Sequence, residues 1–175
     1  MSRRYTIYQV DAFTREKLSG NPAGVVPDAR GLSDEEMRRI ALNNSETAFL
    51  FPGAPGECDV HIRFFTPTRE VPLCGHGTVA SHVVRAQILG LGEYTRVLQK
   101  SGAGVFPVDV IRRENRCQIV MFQGWADILP PLSPEHQARL RAALGLAEAD
   151  LRSDCPVCVA TTGAGKVMVG IRSLE

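Results

Sequence analysis

Long apolar runs are missing: nothing in the 175 residues approaches the ~20 that a membrane-spanning helix needs. The amino terminus, Met-Ser-Arg-Arg-Tyr-Thr-Ile-Tyr, passes straight into strand-like alternation instead of the apolar core of a targeting peptide, so the chain reads as cytoplasmic. An excess of either charge is missing too. Twenty Lys and Arg oppose 19 Asp and Glu, for a net charge of +1, which excludes nucleic-acid or anionic-membrane binding through bulk charge. Five cysteines, an odd number, do not form a disulfide framework. The one close pair, Cys155 and Cys158, has no partner pair and no histidine nearer than His136, so a structural zinc site lacks ligands. Residues 159–163, directly after that pair, read as a strand running into a turn and not as the helix of a redox motif. No Gly-Lys-Ser/Thr loop is present, and Gly75-His76-Gly77 lacks the third glycine of a dinucleotide fingerprint.

The composition that is present is that of an ordinary folded protein, 44% hydrophobic and 22% charged, long enough for one domain or two small ones. Strands are expected at 5–13, 23–26, 47–51, 60–66, 95–99, 104–111, 117–122, 157–161 and 166–171. Ser33 with Glu36 forms a capping box for a first helix that ends at Asn43-Asn44. Ser133 followed by Pro134 opens another helix, which Gly145 stops. Between them, residues 77–89 form a helix with apolar residues on nearly every face, which predicts that it is enclosed by protein. Pro130-Pro131 is the best linker candidate. Leu32-Ser33-Asp34-Glu35 resembles Leu132-Ser133-Pro134-Glu135 one hundred residues on, which is either a duplication or the chance likeness of two capped helices. The expected division is 1–124 and 125–175, a whole repeat followed by part of a second one. The central helix of that second repeat would begin near or beyond the end of the chain.

Two places carry the residue types of catalysis. Cys74-Gly75-His76-Gly77-Thr78 opens the enclosed helix, where free amides and small residues make a seat for a carboxylate or phosphate. His76 there either moves a proton or simply caps the helix. Cys74 is either a thiolate favoured by the helix dipole or a buried small hydrophobe. Glu46 lies where the first helix meets an apolar strand, a place where a carboxylate is costly unless solvated, paired or functional. His61 and His82 read as structural.

Val10-Asp11-Ala12-Phe13-Thr14, Gly20-Asn21-Pro22-Ala23-Gly24-Val25, Ser45-Glu46-Thr47-Ala48-Phe49 and Arg63-Phe64-Phe65-Thr66-Pro67, with Glu70 and Cys74 to Thr78, together resemble the PhzF-like isomerases of phenazine biosynthesis. The resemblance implies an α+β fold of the diaminopimelate-epimerase type, pseudo-duplicated, each half a curled, barrel-like sheet around a central helix. It implies Glu46 as catalytic acid and base and His76 as its orienting partner. Asn21, Cys74, Gly75, Gly77 and Thr78 would bind the substrate. The chemistry implied is proton transfer at a carbon of a small carboxylate-bearing molecule, with no metal and no cofactor. Cys74 keeps a cysteine-dependent racemase or epimerase open, and a carboxylate-binding module without chemistry is the third reading. The family's second-half Gly-Ser-Ala-type motif and catalytic aspartate are not found in the chain. A second half lacking its helix would expose sheet surface, which predicts a homodimer or larger assembly.

Overall fold

A computed structural model describes residues 3–16, 18–43, 46–114, 116–162 and 165–173. They fall into two compact units, residues 1–122 and 123–175.

The first unit is an eight-stranded sheet with two helices. Its strands are β1 (Tyr8–Ala12), β2 (Asn21–Val26), β3 (Thr47–Pro52), β4 (Val60–Phe65), β5 (Glu70–Val71), β6 (Tyr94–Ser101), β7 (Gly104–Arg113) and β8 (Arg116–Met121). They are ordered β1-β2-β3-β4-β6-β7-β8, with β5 pairing beside β4. Neighbours are antiparallel except at β2·β3 and β4·β6, which are parallel. Parallel partners need a crossover, and α1 (Asp34–Ala41) and α2 (Gly75–Leu89) lie in the two connections concerned. Helix α2 touches β1 and β8, the two ends of the strand path, as well as β2, β3 and β7. Contact with both ends means that the sheet curls around this helix.

Alternation along β3 and β4 explains how one sheet serves two cores. Ala48, Leu50, Val60, Ile62 and Phe64 face α2, where Ala80, Val84 and Ala86 meet them. Phe49 and Phe65 point the other way, onto Met37 and Ala41 of α1, with their rings edge to face at 5.7 Å. The apolar stripe on α1 therefore covers the outside of the sheet. By contrast α2 buries residues all around its circumference, from Gly77 and Thr78 to Ala86. Its interior keeps one polar chain. Gln99 turns its amide nitrogen to Thr78 Oγ1 at 3.3 Å, so its carbonyl accepts from His82 Nε2 at 2.9 Å.

The second unit contains β9 (Asp127–Ile128), α3 (Pro134–Leu144), a short 3₁₀ turn (Glu148–Asp150), β10 (Cys158–Thr161) and β11 (Lys166–Met168), with the strands ordered β11-β10-β9 and antiparallel throughout. Pro130-Pro131 is not a linker. It lies inside this unit, where the flanking Leu129 and Leu132 amides donate to the Val159 and Val157 carbonyls at 2.8 Å each. Both serine caps form as expected: Ser33 accepts from Glu36 N, and Ser133 accepts from His136 N. Helix α1 ends at Ala41 with Leu42 as its cap, two residues short of Asn43. Asn44, and the Gly163-Ala164 part of the last turn, lie outside the described residues.

Candidate active site

The chain reaches the site through a braced hairpin. After β4, Thr66 Oγ1 accepts from the Arg69 amide at 3.0 Å and donates to its carbonyl at 2.9 Å, which reverses the chain into β5. The Arg63 guanidinium, half-buried on β4, holds Glu70 at 2.8 and 2.6 Å and Asp34 of α1 at 2.8 Å, and it stacks over the Phe65 ring. Two carboxylates raise its pKa further above its ordinary value. This brace aims residues 71–74 at the mouth of α2. Pro72 is held from the other side: its carbonyl accepts from Ala103 N at 3.1 Å, and a Cβ on Gly102 would lie 3.0 Å from its Cα.

Helix α2 begins at Gly75, two residues before the expected start, because Cys74 is its N-cap. The Cys74 sulfur accepts from Gly77 N at 3.3 Å, a place usually taken by a Ser, Thr, Asp or Asn oxygen. Gly77 is tightly enclosed, since a Cβ there would meet Cys74 Sγ at 3.0 Å and the Phe64 ring at 3.1 Å. Among the described residues a Cβ on Gly75 would meet nothing within 4 Å, so the mouth is open above it.

Glu46 arrives from the other side of the site. It immediately precedes β3, and its carbonyl accepts from Gly24 N at 3.1 Å, continuing the β2·β3 ladder. One carboxylate oxygen, Oε2, lies 3.1 Å from Cys74 Sγ and 3.0 Å from His76 Nε2. The imidazole also lies alongside the thiol, with Nδ1 at 3.5 Å and Nε2 at 3.8 Å from the sulfur. Thus Glu46, Cys74 and His76, distant in sequence, form one cluster. Cys74 is only 5% exposed, whereas the side chains of Glu46 and His76 are 31% and 15% exposed. Solvent therefore reaches the carboxylate and the imidazole but hardly the thiol. Burial, and then the neighbouring carboxylate, push the Cys74 pKa up to about 12. Of the two readings of Cys74, burial favours the small buried side chain over the thiolate, and its thiol donates to Glu46 Oε2 at 3.1 Å.

The other expected site residues are placed differently. Thr78 is fully buried, its hydroxyl accepting from Gln99 and its amide bonded to the Cys74 carbonyl at 2.9 Å. It faces the core and not the mouth. The Gly77 amide is committed to the Cys74 sulfur at 3.3 Å, and the His76 amide also bears on that sulfur. Asn21 opens β2 and is exposed, opposite Ala12. Sequence reasoning missed the Arg63–Glu70–Asp34 brace, although a charged residue inside the otherwise apolar strand Val60–Phe65 was a visible signal.

Residues 10–175 match the family described as phenazine biosynthesis-like protein. An uncharacterized isomerase of Clostridium acetobutylicum is 47% identical over 177 residues, covering 100% of this chain and 58% of that protein. The crystal structure of a Bacillus anthracis phenazine biosynthesis protein of the PhzF family superposes with a TM-score of 0.77 at 34% identity, over 95% of this chain and 55% of that one. A predicted epimerase from Pseudomonas aeruginosa has the same fold, with a TM-score of 0.85 at 24% identity over 97% of this chain and 60% of its own. The chain thus spans a little over half the length of the relatives it matches. Alike in fold and matched along nearly its whole length, it belongs to the phenazine biosynthesis-like, or PhzC-PhzF, family.

Proposed function

We propose that the chain carries the acid/base half of an isomerase or epimerase that moves a proton at a carbon beside a carboxylate, without a cofactor. The observation that supports this is the shared Glu46 oxygen, held by His76 and Cys74 at the open mouth of α2. In the forward step Glu46 takes the proton from carbon, and the electron pair spreads into the conjugated carboxylate. In the return step the same carboxyl gives the proton back at another carbon or on the other face. The substrate carboxylate rests against the Gly75 end of α2, where amides and the helix dipole favour an anion. His76 fixes the direction of the Glu46 carboxylate. Cys74, held as a neutral thiol, is placed to support Glu46 rather than to act as the base, which favours the glutamate reading over a cysteine-dependent racemase.

The test is deuterium uptake from D2O into a panel of small amino and hydroxy acids, run on this chain and on a version extended to the length of its relatives. Glu46→Gln should slow exchange by about 10²- to 10⁴-fold. The extended protein should exchange faster than this chain, because a second wall positions the substrate and excludes water. Undiminished exchange in Glu46→Gln would remove Glu46 from the mechanism, and calorimetric binding of a carboxylate without exchange in either length would leave a binding module.

A further inference from the structure

Glu46, Cys74 and His76 offer a carboxylate oxygen, a sulfur and an imidazole nitrogen, all within 4.8 Å of one another. We propose that this trio is also a binding site for a thiophilic divalent cation of the zinc class, and that occupancy shuts the site by seizing Glu46.

The geometry is close to that of a metal site already. Around tetrahedral zinc, with bonds of about 2.0 Å to N or O and about 2.3 Å to S, neighbouring donor atoms stand about 3.3 to 3.7 Å apart. Here, with Nε2 as the imidazole donor, the three separations are 3.0 Å between Glu46 and His76, 3.1 Å between Glu46 and Cys74, and 3.8 Å between Cys74 and His76. A shift of a few tenths of an ångström opens the face on which a cation sits. The open space above Gly75 leaves room for a fourth ligand, water or an anion.

Charge and the surrounding hydrogen bonds agree with this. Binding releases the thiol proton to solvent and leaves one thiolate, one carboxylate and one neutral imidazole on a divalent ion, a neutral ensemble suited to a half-buried place. The thiolate is stabilised from behind by the Gly77 amide, and such an N–H donor on the far side of a ligand is the support that metal sites use. The same amide answers the objection that a helix N-terminus repels cations: the positive end of α2 meets the sulfur, and the ion sits beyond it. A thiolate with an imidazole selects zinc-class metals over magnesium or calcium, which prefer oxygen. Because the thiol must lose its proton, affinity rises with pH. Glu46 and His76 are the titratable groups that face Cys74.

Binding stands on these three side chains alone, whereas inhibition rests on the proton-transfer reading, and the two are tested apart. Cobalt(II) is titrated into the full chain carrying Cys155→Ser, since Cys155 is exposed and would compete for the metal. A sulfur-to-cobalt charge-transfer band should appear with one-to-one stoichiometry and disappear when zinc is added. Cys74→Ser should abolish the band, and His76→Ala should weaken binding by more than about a hundredfold, beyond what loss of a supporting group costs. Circular dichroism confirms that each variant is folded. If a folded Cys74→Ser variant keeps the band, or the parent shows none at millimolar cobalt, the site does not exist. Where an exchanging substrate is in hand, zinc should stop exchange and a chelator should restore it, and exchange that persists with zinc bound would refute the inhibitory role only.

Discussion

Helix α2 in the first unit, 15 residues long, buries seven residues spread around its circumference, whereas α3 in the second unit, 11 residues long, buries none among the described residues. Both are well capped, and both lack a clean apolar stripe. The difference lies in what the neighbouring strands do. In the first unit the strand before α1 runs parallel to the strand after it, and a second parallel join brackets α2, so the sheet curls back on itself. In the second unit β9 and β10 flank α3 and are antiparallel, in a sheet of three short strands. A helix of mixed polarity becomes a core element only where a sheet closes around it. The candidate catalytic cluster sits at the end of the helix that is enclosed.

The sharpest way to break this contrast is to remove a large side chain from each unit. Phe64 is 1% exposed and packs against α2, so Phe64→Ala should cost about 3–5 kcal/mol in denaturant unfolding. Leu140→Ala, on a half-buried position of α3, should cost under about 1 kcal/mol. Equal costs would mean that α3 is held as firmly as α2. A finer version stays within α2: Gly77→Ala should destabilise by about 1–3 kcal/mol, because Cys74 and Phe64 must give way. Gly75→Ala, with empty space around it, should stay within about 0.5 kcal/mol.

How much could be read from the sequence depends on how local each signal is. The two serine caps, the enclosed character of α2, and the β6, β7 and β8 strands were legible because capping chemistry and alternation lie within a few residues. The strands Glu70–Val71 and Asp127–Ile128 were not, since two residues carry no period. The true start of α2 was hidden because a cysteine sulfur took the cap position. Nothing in the local pattern says that β2 and β4 pair in parallel with β3 and β6. At the site, Glu46, Cys74 and His76 were all visible as candidates, but their convergence on one oxygen depends on the antiparallel register that sets Thr47 opposite Phe65, just before the turn that leads to α2. The burial of Thr78 was not legible for a similar reason: on a helix buried on all sides, position in the first turn does not decide which residues face the opening.

The interior of the first unit should also show in pH dependence. Burial lowers the His82 pKa to about 4, so the folded state resists a proton that the unfolded chain accepts near its ordinary value. Stability from this source is complete above about pH 6.5 and declines as pH falls toward 4. His61, shifted the same way by burial, adds in the same window. Asp28, whose pKa is held near 2 by Arg30, matters only at lower pH. The melting temperature should therefore drop between about pH 7 and pH 5, and His82→Gln should flatten that slope. An unchanged slope would assign the titration to other groups.

The smallest expected effect compares the two caps, which are chemically alike. Ser33 accepts from Glu36 N while the Glu36 carboxylate returns to Ser33 N at 2.8 Å. Ser133 accepts from His136 N at 3.4 Å and meets its Nδ1 at 2.8 Å. Removing either hydroxyl should cost its helix about 1 kcal/mol. The destination of that cost should differ. Helix α1 contributes Met37 and Ala41 to a core shared with Phe49 and Phe65, so fraying it opens the core, and Ser33→Ala should lower global stability by nearly the full amount. Helix α3 has no fully buried residue among the described ones, so Ser133→Ala should raise amide exchange over 134–144 while leaving the denaturation midpoint of the first unit unmoved. A midpoint that falls equally for both variants would show that α3 is cooperative with the first unit's core, and the contrast between enclosed and exposed helices would not extend to their energetics.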